Sequence, residues 1–250
     1  MLEVTRAQLE AALGEIGITA GSGLLVHSAV QYLGRPVGGL GMYMDALQAV
    51  LGPGGTLAAP AFNFAFAHGQ AYDPLETPSH DMGAFSEYVR RLPQARRTPH
   101  PLQSLAVIGR DRDDLAGRDT PGAFDPGSAF ERMLELDYSL LLLGANEKAI
   151  SMFHYSEQRA GVPYRYWKSF TAPYRTPQGW QERTYRMFVR DEKIQPALTL
   201  DPLLPVLRRR GQWREAQLNY GRLTACRLAD FVAAVDELLA QDPWCFVIKS

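Results

Sequence analysis

Four short apolar runs, Gly23–His27, Thr56–Pro60, Leu105–Ile108 and Leu140–Leu143, constrain this chain more than anything else in it. None alternates apolar with polar residues. A strand with one wet face alternates with a period of two, so a run without alternation is read as buried on both faces. The stretches between the runs have helical texture. Thr5-Arg6-Ala7-Gln8 has the form of a capping box, after which Leu9, Ala12, Leu13 and Ile16 recur at helical spacing until Gly17. A loop holding Gly34, Pro36, Gly38 and Gly39 leads into a helix ending near Leu51. Gly52-Pro53-Gly54-Gly55 marks a turn, and a further helix is expected around Gly83 to Arg91. Strands separated by helices predict an α/β core to about residue 160: a central mixed, mostly parallel sheet covered by helices. Beyond it, Tyr164–Tyr174 is aromatic and β-prone and Arg183–Arg190 alternates, which predicts a smaller peripheral β-rich section at about 161–195. Leu228, Phe231, Val232, Val235 and Leu238 then fall at helical intervals and predict a packed helix over Leu228–Leu239. Residues 1–250 are read as a single domain.

Composition removes several function classes. A chain of 250 residues, 46% of them hydrophobic, can bury a real core. With 26 Lys plus Arg against 27 Asp plus Glu, no global field recruits nucleic acid or an anionic membrane. Arg208-Arg209-Arg210 lacks interleaved aromatics for base stacking and reads as a solvated helix terminus. Cys226 and Cys245, both late and among apolar residues, read as small buried hydrophobes in a reducing compartment rather than as a disulfide framework. The chain contains no bilayer-length apolar run and no signal-peptide pattern, so a cytoplasmic location without membrane association is expected.

Chemistry is sought in the crevice beyond the strand ends, and all five histidines, His27, His68, His80, His100 and His154, fall at strand ends or in loops. His154 has Glu157 three residues on, close enough on a helix face for a carboxylate to fix the imidazole tautomer and raise its basicity. A surface pair is the plain alternative. Zinc is the competing use, but the second histidine of metalloprotease helices is missing, so no metal is expected. Gly38-Gly39-Leu40-Gly41 could present N–H groups to a phosphate or be an ordinary connection, and Ser28 offers a hydroxyl to the same region. Arg96-Arg97-Thr98-Pro99-His100-Pro101, with Ser104 three residues on, is a stiff basic segment whose prolines aim His100; its arginines meet a phosphate or face solvent.

Taken in order, Val26-His27-Ser28-Ala29-Val30, Gly34 with Gly38-Gly39, Leu51 to Leu57 and Pro60-Ala61-Phe62 resemble the N-terminal motifs of the aminoglycoside 3-N-acetyltransferase family. Asp73-Pro74, Thr77-Pro78-Ser79, Met82-Gly83, Arg90, the Arg96–Pro101 segment with Ser104, Leu142-Leu143-Gly144 and His154-x-x-Glu157 continue the resemblance over roughly residues 20 to 160. It implies a single α/β acyltransferase domain distinct from the GNAT fold, taking acetyl-coenzyme A as donor and acetylating an amine directly in a ternary complex. By motif position His154 is the general base and Glu157 its orienting carboxylate. Ser28, Ala29, Val30, Gly38, Gly39, Thr98 and Ser104 are assigned to the coenzyme A groove, and His100, Asp73 and Tyr155 to the acceptor. The backbone N–H groups from Ser28 to Val30, or the Ser104 hydroxyl, are the donors expected to face a developing oxyanion.

Two departures bear on the acceptor. Thr98 stands where the family usually has Ser, and the stretch after the dyad, Gly161 to Lys168, is aromatic and cationic rather than acidic. If they line the pocket rather than lie outside it, Arg165 and Lys168 point to a neutral or anionic acceptor, such as a biosynthetic amino sugar, over a polycationic antibiotic; the acceptor expected is an amine of an amino sugar or an aminoglycoside-like molecule. The expected partner is a small amine, with the protein as monomer or homodimer. The alternatives are an inactive coenzyme A-binding or scaffold relative and a metal-dependent hydrolase.

Overall fold

The structure is a computed structural model that describes residues 2–194 and 197–248. Position 195, at the end of the expected peripheral section, and positions 1, 196, 249 and 250 lie outside the described residues.

In chain order the elements begin with β1 (Glu3–Val4), α1 (Arg6–Glu15), β2 (Gly23–Ser28), β3 (Arg35–Pro36), α2 (Gly41–Leu51) and β4 (Thr56–Pro60). They continue with α3 (Ala84–Arg90), β5 (Arg96–Arg97), β6 (Leu105–Gly109), α4 (Arg112–Ala116), α5 (Ala129–Glu135), β7 (Ser139–Leu143) and α6 (Phe153–Ala160). The chain then forms β8 (Arg165–Thr176), β9 (Gly179–Arg190), α7 (Leu203–Arg209), β10 (Arg214–Leu218), β11 (Gly221–Arg227) and α8 (Leu228–Gln241). The capping box at α1 is present: the Thr5 hydroxyl accepts from the Gln8 N–H, and the Gln8 side chain accepts from the Thr5 N–H at 2.9 Å.

Seven strands form the central sheet, in the order β10-β11-β7-β2-β4-β6-β5. The sheet is mixed, as expected, but parallel pairing is confined to its centre, where β2 pairs with β4 and with β7. All the flanking pairings are antiparallel. The core also runs past residue 160, because β10 and β11 return to add two strands beside β7. Their polar, half-exposed pattern resembles a peripheral hairpin in sequence; only pairing with β7 reveals them as part of the sheet.

The missing alternation in the apolar runs has the expected cause. Leu25, Ala58, Val107, Leu140 and Leu142 face one core layer, which holds Phe130 from α5, Phe153 from α6 and Phe231 from α8. Their neighbours Leu24, Val26, Leu57, Ala59, Leu141 and Leu143 face the other layer, with Leu13 from α1, Tyr43 from α2 and Phe85 from α3. Cys226 on β11 is buried in the first layer, and burial pushes its thiol up to about 12. Cys245 is half-buried, its thiol pushed up to about 11 by burial and the charge of Asp242.

The hairpin β8–β9 is the expected peripheral section. It stands outside the sheet and docks through a third cluster, in which Tyr174, Tyr185 and Ala172 pack on Phe66, Tyr72 and Leu102. No helix among the described residues is long and apolar enough to cross a membrane.

Candidate active site

The carboxyl ends of the parallel strands β2, β4 and β7 lie at one end of the sheet, and the connections leaving them build a depression. Two close approaches of backbone shape it. A Cβ on Gly144 would lie 2.7 Å from the Ala29 carbonyl, and one on Gly83 3.0 Å from the Ser28 carbonyl. Both glycines have positive φ, so larger residues there would be strained as well as crowded.

Helix α6 starts in this depression and carries the pair. His154 and Glu157 sit one turn apart, with Nδ1 2.6 Å from Glu157 Oε2. Glu157 is fully buried, whereas the His154 side chain is 32% exposed, so the carboxylate is the hidden partner and the imidazole the working one. Burial acts to raise the Glu157 pKa, but hydrogen bonding to His154 and the charges of His154 and Arg165 outweigh it and hold the carboxyl below its usual range. An ionised Glu157 accepts from Nδ1–H, which leaves Nε2 with the lone pair.

Arg165, at the start of β8, completes the site. Its Nη2 lies 2.9 Å from Glu157 Oε2, and its Nη1 donates to the Phe188 carbonyl at 3.0 Å. A buried carboxylate with one partner would be costly, and the guanidinium supplies the second. The side chain is 7% exposed and neutralised by Glu157. Arg165 thus supports the dyad, anchors the hairpin to it and lines one of the crevices beside His154. Lys168 is exposed on β8, 5.5 Å from the Phe170 ring, and does not line the crevices around His154.

His154 stands where two crevices meet. One, of about 200 Å³, is walled by Phe62, Phe64, Met82, Phe124, Met187 and Phe188. The other, of about 250 Å³, is walled by Phe153, Arg190, Leu198 and Leu200, and both share Lys148, Ile150 and His154. Glu147 lines both the second crevice and a hollow of about 430 Å³ whose other walls include Tyr32, Gly144, Arg208, Tyr220 and Arg222. Gly144 bridges Ser28, whose buried hydroxyl has no hydrogen-bond partner. Two crevices therefore open beside one imidazole, the smaller walled by phenylalanines and methionines.

The other expected site residues divide sharply. Gly38 and Gly39 are exposed ahead of α2, and Val30 borders Tyr32 on the same connection. The Ala29 N–H is occupied by the Leu143 carbonyl at 3.0 Å, which removes it as an oxyanion donor. Thr98 and Ser104 line neither crevice: both are buried, the Thr98 hydroxyl accepting from the Leu105 N–H and the Ser104 hydroxyl donating to the Ala61 carbonyl, each at 2.8 Å. Arg97, half-buried, binds Ser104, Thr77 and Ala61 over the Tyr72 ring, while Arg96 pairs with Asp113 at the surface.

The three residues assigned to the acceptor are likewise placed elsewhere. His100 is buried against Tyr185, with Nδ1 accepting from the Gln103 N–H and burial lowering its pKa to about 4. The Asp73 carboxylate closes a turn by accepting from the Leu75 N–H. Tyr155 lies in the core on α6. None of the three lines a crevice beside His154.

His27 is the residue the sequence did not rank. It lies fully buried behind the pair, its Nε2 3.3 Å from the Ser151 hydroxyl, and burial, with the charge of His154, pushes it down to about 3. Its place in an apolar strand whose end forms the depression was the available signal. Among the described residues no three His, Cys, Asp or Glu side chains are arranged to hold a metal ion, so the hydrolase alternative finds no ligand set there.

A mixed α/β sheet holding a histidine–carboxylate pair between two crevices defines the class of scaffold. The chain belongs to the aminoglycoside 3-N-acetyltransferase family, whose model matches residues 25–240. It is 36% identical over 166 residues to aminoglycoside N(3)-acetyltransferase IV of Salmonella sp, a match covering 65% of this chain and 62% of the relative, so the chain spans less than two thirds of that protein's length. In fold it resembles the binary complex of AAC-IIIb with CoASH, with a TM-score of 0.87 at 24% identity over the whole of both chains. It also resembles a histidine-to-alanine variant of AAC(3)-IVa bound to apramycin, with a TM-score of 0.81 at 27% identity, covering 97% of this chain and 95% of the other.

Proposed function

We propose that this protein is an acetyl-coenzyme A-dependent N-acetyltransferase that acetylates a primary amine by direct attack in a ternary complex. One observation carries the proposal: a single imidazole, oriented by a buried ionised carboxylate, stands where two crevices meet. Direct transfer requires a base between two bound reactants, whereas an acyl-enzyme route would require a protein nucleophile.

Acetyl-coenzyme A supplies the electrophilic thioester carbonyl. Its pantetheine arm places about a dozen bonds between thioester and diphosphate, the reach of roughly four extended residues or ~14 Å. The hollow of about 430 Å³ that shares Glu147 with the second crevice is the larger space open to that arm. The acceptor amine then occupies the smaller crevice. His154 Nε2 takes one proton from the nitrogen as it bonds to the thioester carbonyl carbon, and the Glu157 carboxylate stabilises the imidazolium through Nδ1–H; the C–S bond then breaks and the departing thiolate takes up a proton as free coenzyme A. Arg165 keeps Glu157 ionised and in place. The relatives' names put aminoglycoside amines among the acceptors to be tried.

Free thiol release from acetyl-coenzyme A, measured against a panel of amines, tests this reading. Release should require an amine, and double-reciprocal plots should intersect. Parallel plots, or an acetylated protein detected by mass spectrometry, would overturn direct transfer.

A further inference from the structure

We infer that Tyr164 is a positioning residue for the base: its hydroxyl is the donor for Glu157 Oε1, which pins the carboxylate against His154 and holds it ionised. The inference deepens the acetyltransferase reading, on which its kinetic test rests. Both partners described for the carboxylate fall on one oxygen, His154 Nδ1 lying 2.6 Å and Arg165 Nη2 2.9 Å from Oε2. Oε1 is buried and, among the described residues, has no hydrogen-bond partner, and the fully buried Tyr164 hydroxyl is in the same condition. A buried polar atom left unpaired is costly, so an orphan acceptor beside an orphan donor calls for a bond between them. The two groups sense each other. After burial, the charge of Glu157 and hydrogen bonding to it are what raise the Tyr164 hydroxyl above the ordinary phenol range.

The fold brings the pair together within one short stretch. Gly161, in the left-handed region, ends α6, and the Val162 N–H returns to the Glu157 carbonyl at 3.3 Å. Tyr164 follows, its carbonyl accepting from the Asp191 N–H at 2.9 Å and its ring centred 5.6 Å from that of Trp244. Backbone and ring are thereby fixed, and a small rotation of the carboxylate about its soft terminal torsion completes the bond. The phenol has a part that Arg165 lacks. The guanidinium offsets the carboxylate's charge, whereas a neutral O–H satisfies an oxygen and leaves that charge in place to meet the imidazolium. The titratable and charged groups facing this assembly are His154 on α6 with His27 of β2 behind it, Arg165 at the start of β8, and the Cys245 thiol beside Tyr164. Lys148 and Arg190 face His154 from the crevice walls.

The test is Tyr164→Phe, which keeps the buried ring and removes the hydroxyl. With a reactive amine, kcat should fall about tenfold while KM for the amine and for acetyl-coenzyme A stays within about twofold. The acid limb of kcat/KM should move up by roughly half a pH unit or more. An ionised carboxylate deprived of a donor takes up a proton more readily, so the His154–Glu157 pair binds its first proton at higher pH. In a Glu157→Gln background the same substitution should change kcat by less than about twofold. Tyr138→Phe removes another buried hydroxyl, which bonds Asp111 at 2.9 Å, and as the structural control should leave the acid limb in place. An unmoved acid limb in Tyr164→Phe, or an equal loss of kcat in both backgrounds, overturns the inference and leaves the acetyltransferase reading standing. Proton NMR of the His154 ring, identified by its disappearance in His154→Ala, follows the same proton uptake without turnover. Thiol release with no amine of the panel overturns the acetyltransferase reading, and an NMR titration unmoved in Tyr164→Phe overturns the Tyr164 assignment separately.

Discussion

The segment from Arg97 to Leu105 and the segment from Ser151 to Arg165 look alike in sequence, each offering a histidine with hydroxyl and arginine neighbours. Folding makes them opposites. In the first, the Thr98 and Ser104 hydroxyls, the Arg97 guanidinium and His100 Nδ1 are all engaged within the protein. The segment is a polar knot that ties β5 and β6 to the turns beneath the hairpin. In the second, one nitrogen of His154 is engaged and the other is left, beside two crevices. A site differs from a satisfied core histidine by retaining unsatisfied capacity that faces open space.

The sharpest way to break this comparison is to remove each histidine in turn. His154→Ala should lower kcat by about 10³-fold, within the range of a lost general base, while the melting temperature stays within a few degrees. His100→Ala should do the reverse. It empties a packed position against Tyr185 and leaves the Gln103 N–H unpaired, a loss of about 2–4 kcal/mol in denaturant unfolding with kcat per folded molecule retained. A large fall in kcat for His100→Ala would return that residue to the site.

A smaller effect separates the base from its orienter. Glu157→Gln keeps an acceptor oxygen near Nδ1 but removes the charge that stabilises imidazolium, so kcat should fall by about 10²-fold or less. Arg165→Met should act on stability as well as rate, since the buried Glu157 carboxylate then loses its guanidinium partner and keeps the hydrogen bond from His154. An unchanged rate for Glu157→Gln would remove its assigned role.

Much of the fold was legible because burial on both faces writes itself into sequence as unbroken apolar runs, and because α1 and α8 carry full helical periodicity. Strands β10 and β11 were not legible as core. Gln217 and Arg222 make that hairpin look peripheral, and its membership depends on β11 pairing with β7 across some eighty intervening residues. The dyad was legible because three residues on a helix fix its geometry locally. Thr98, His100 and Ser104 bond within the protein and line neither crevice, and nothing in their spacing tells whether a polar group meets a ligand or its own backbone. Arg165 was visible as a charge, but its neutralisation by a glutamate eight residues earlier required the turn at Gly161 and the start of the hairpin.

Acid titration gives the finest discrimination between working and structural histidines. His27 and His100 titrate near 6.5 when unfolded, but burial lowers them to about 3 and about 4 in the native protein. Below pH 6.5 the unfolded chain therefore binds more protons than the native one, and stability falls as pH falls. Each contributes about 1.4 kcal/mol per pH unit until its native pKa is reached. Glu157, held below its usual range, adds its loss only at lower pH, through its native titration. Denaturant unfolding between pH 7 and pH 4.5 should show this slope, reduced by about one histidine's share in His27→Gln and again in His100→Gln. His27→Gln keeps an acceptor for the Ser151 N–H, so its change in slope reports titration rather than a lost contact. An undiminished slope in both variants would mean that these imidazoles reach water, and the contrast with His154 would fail.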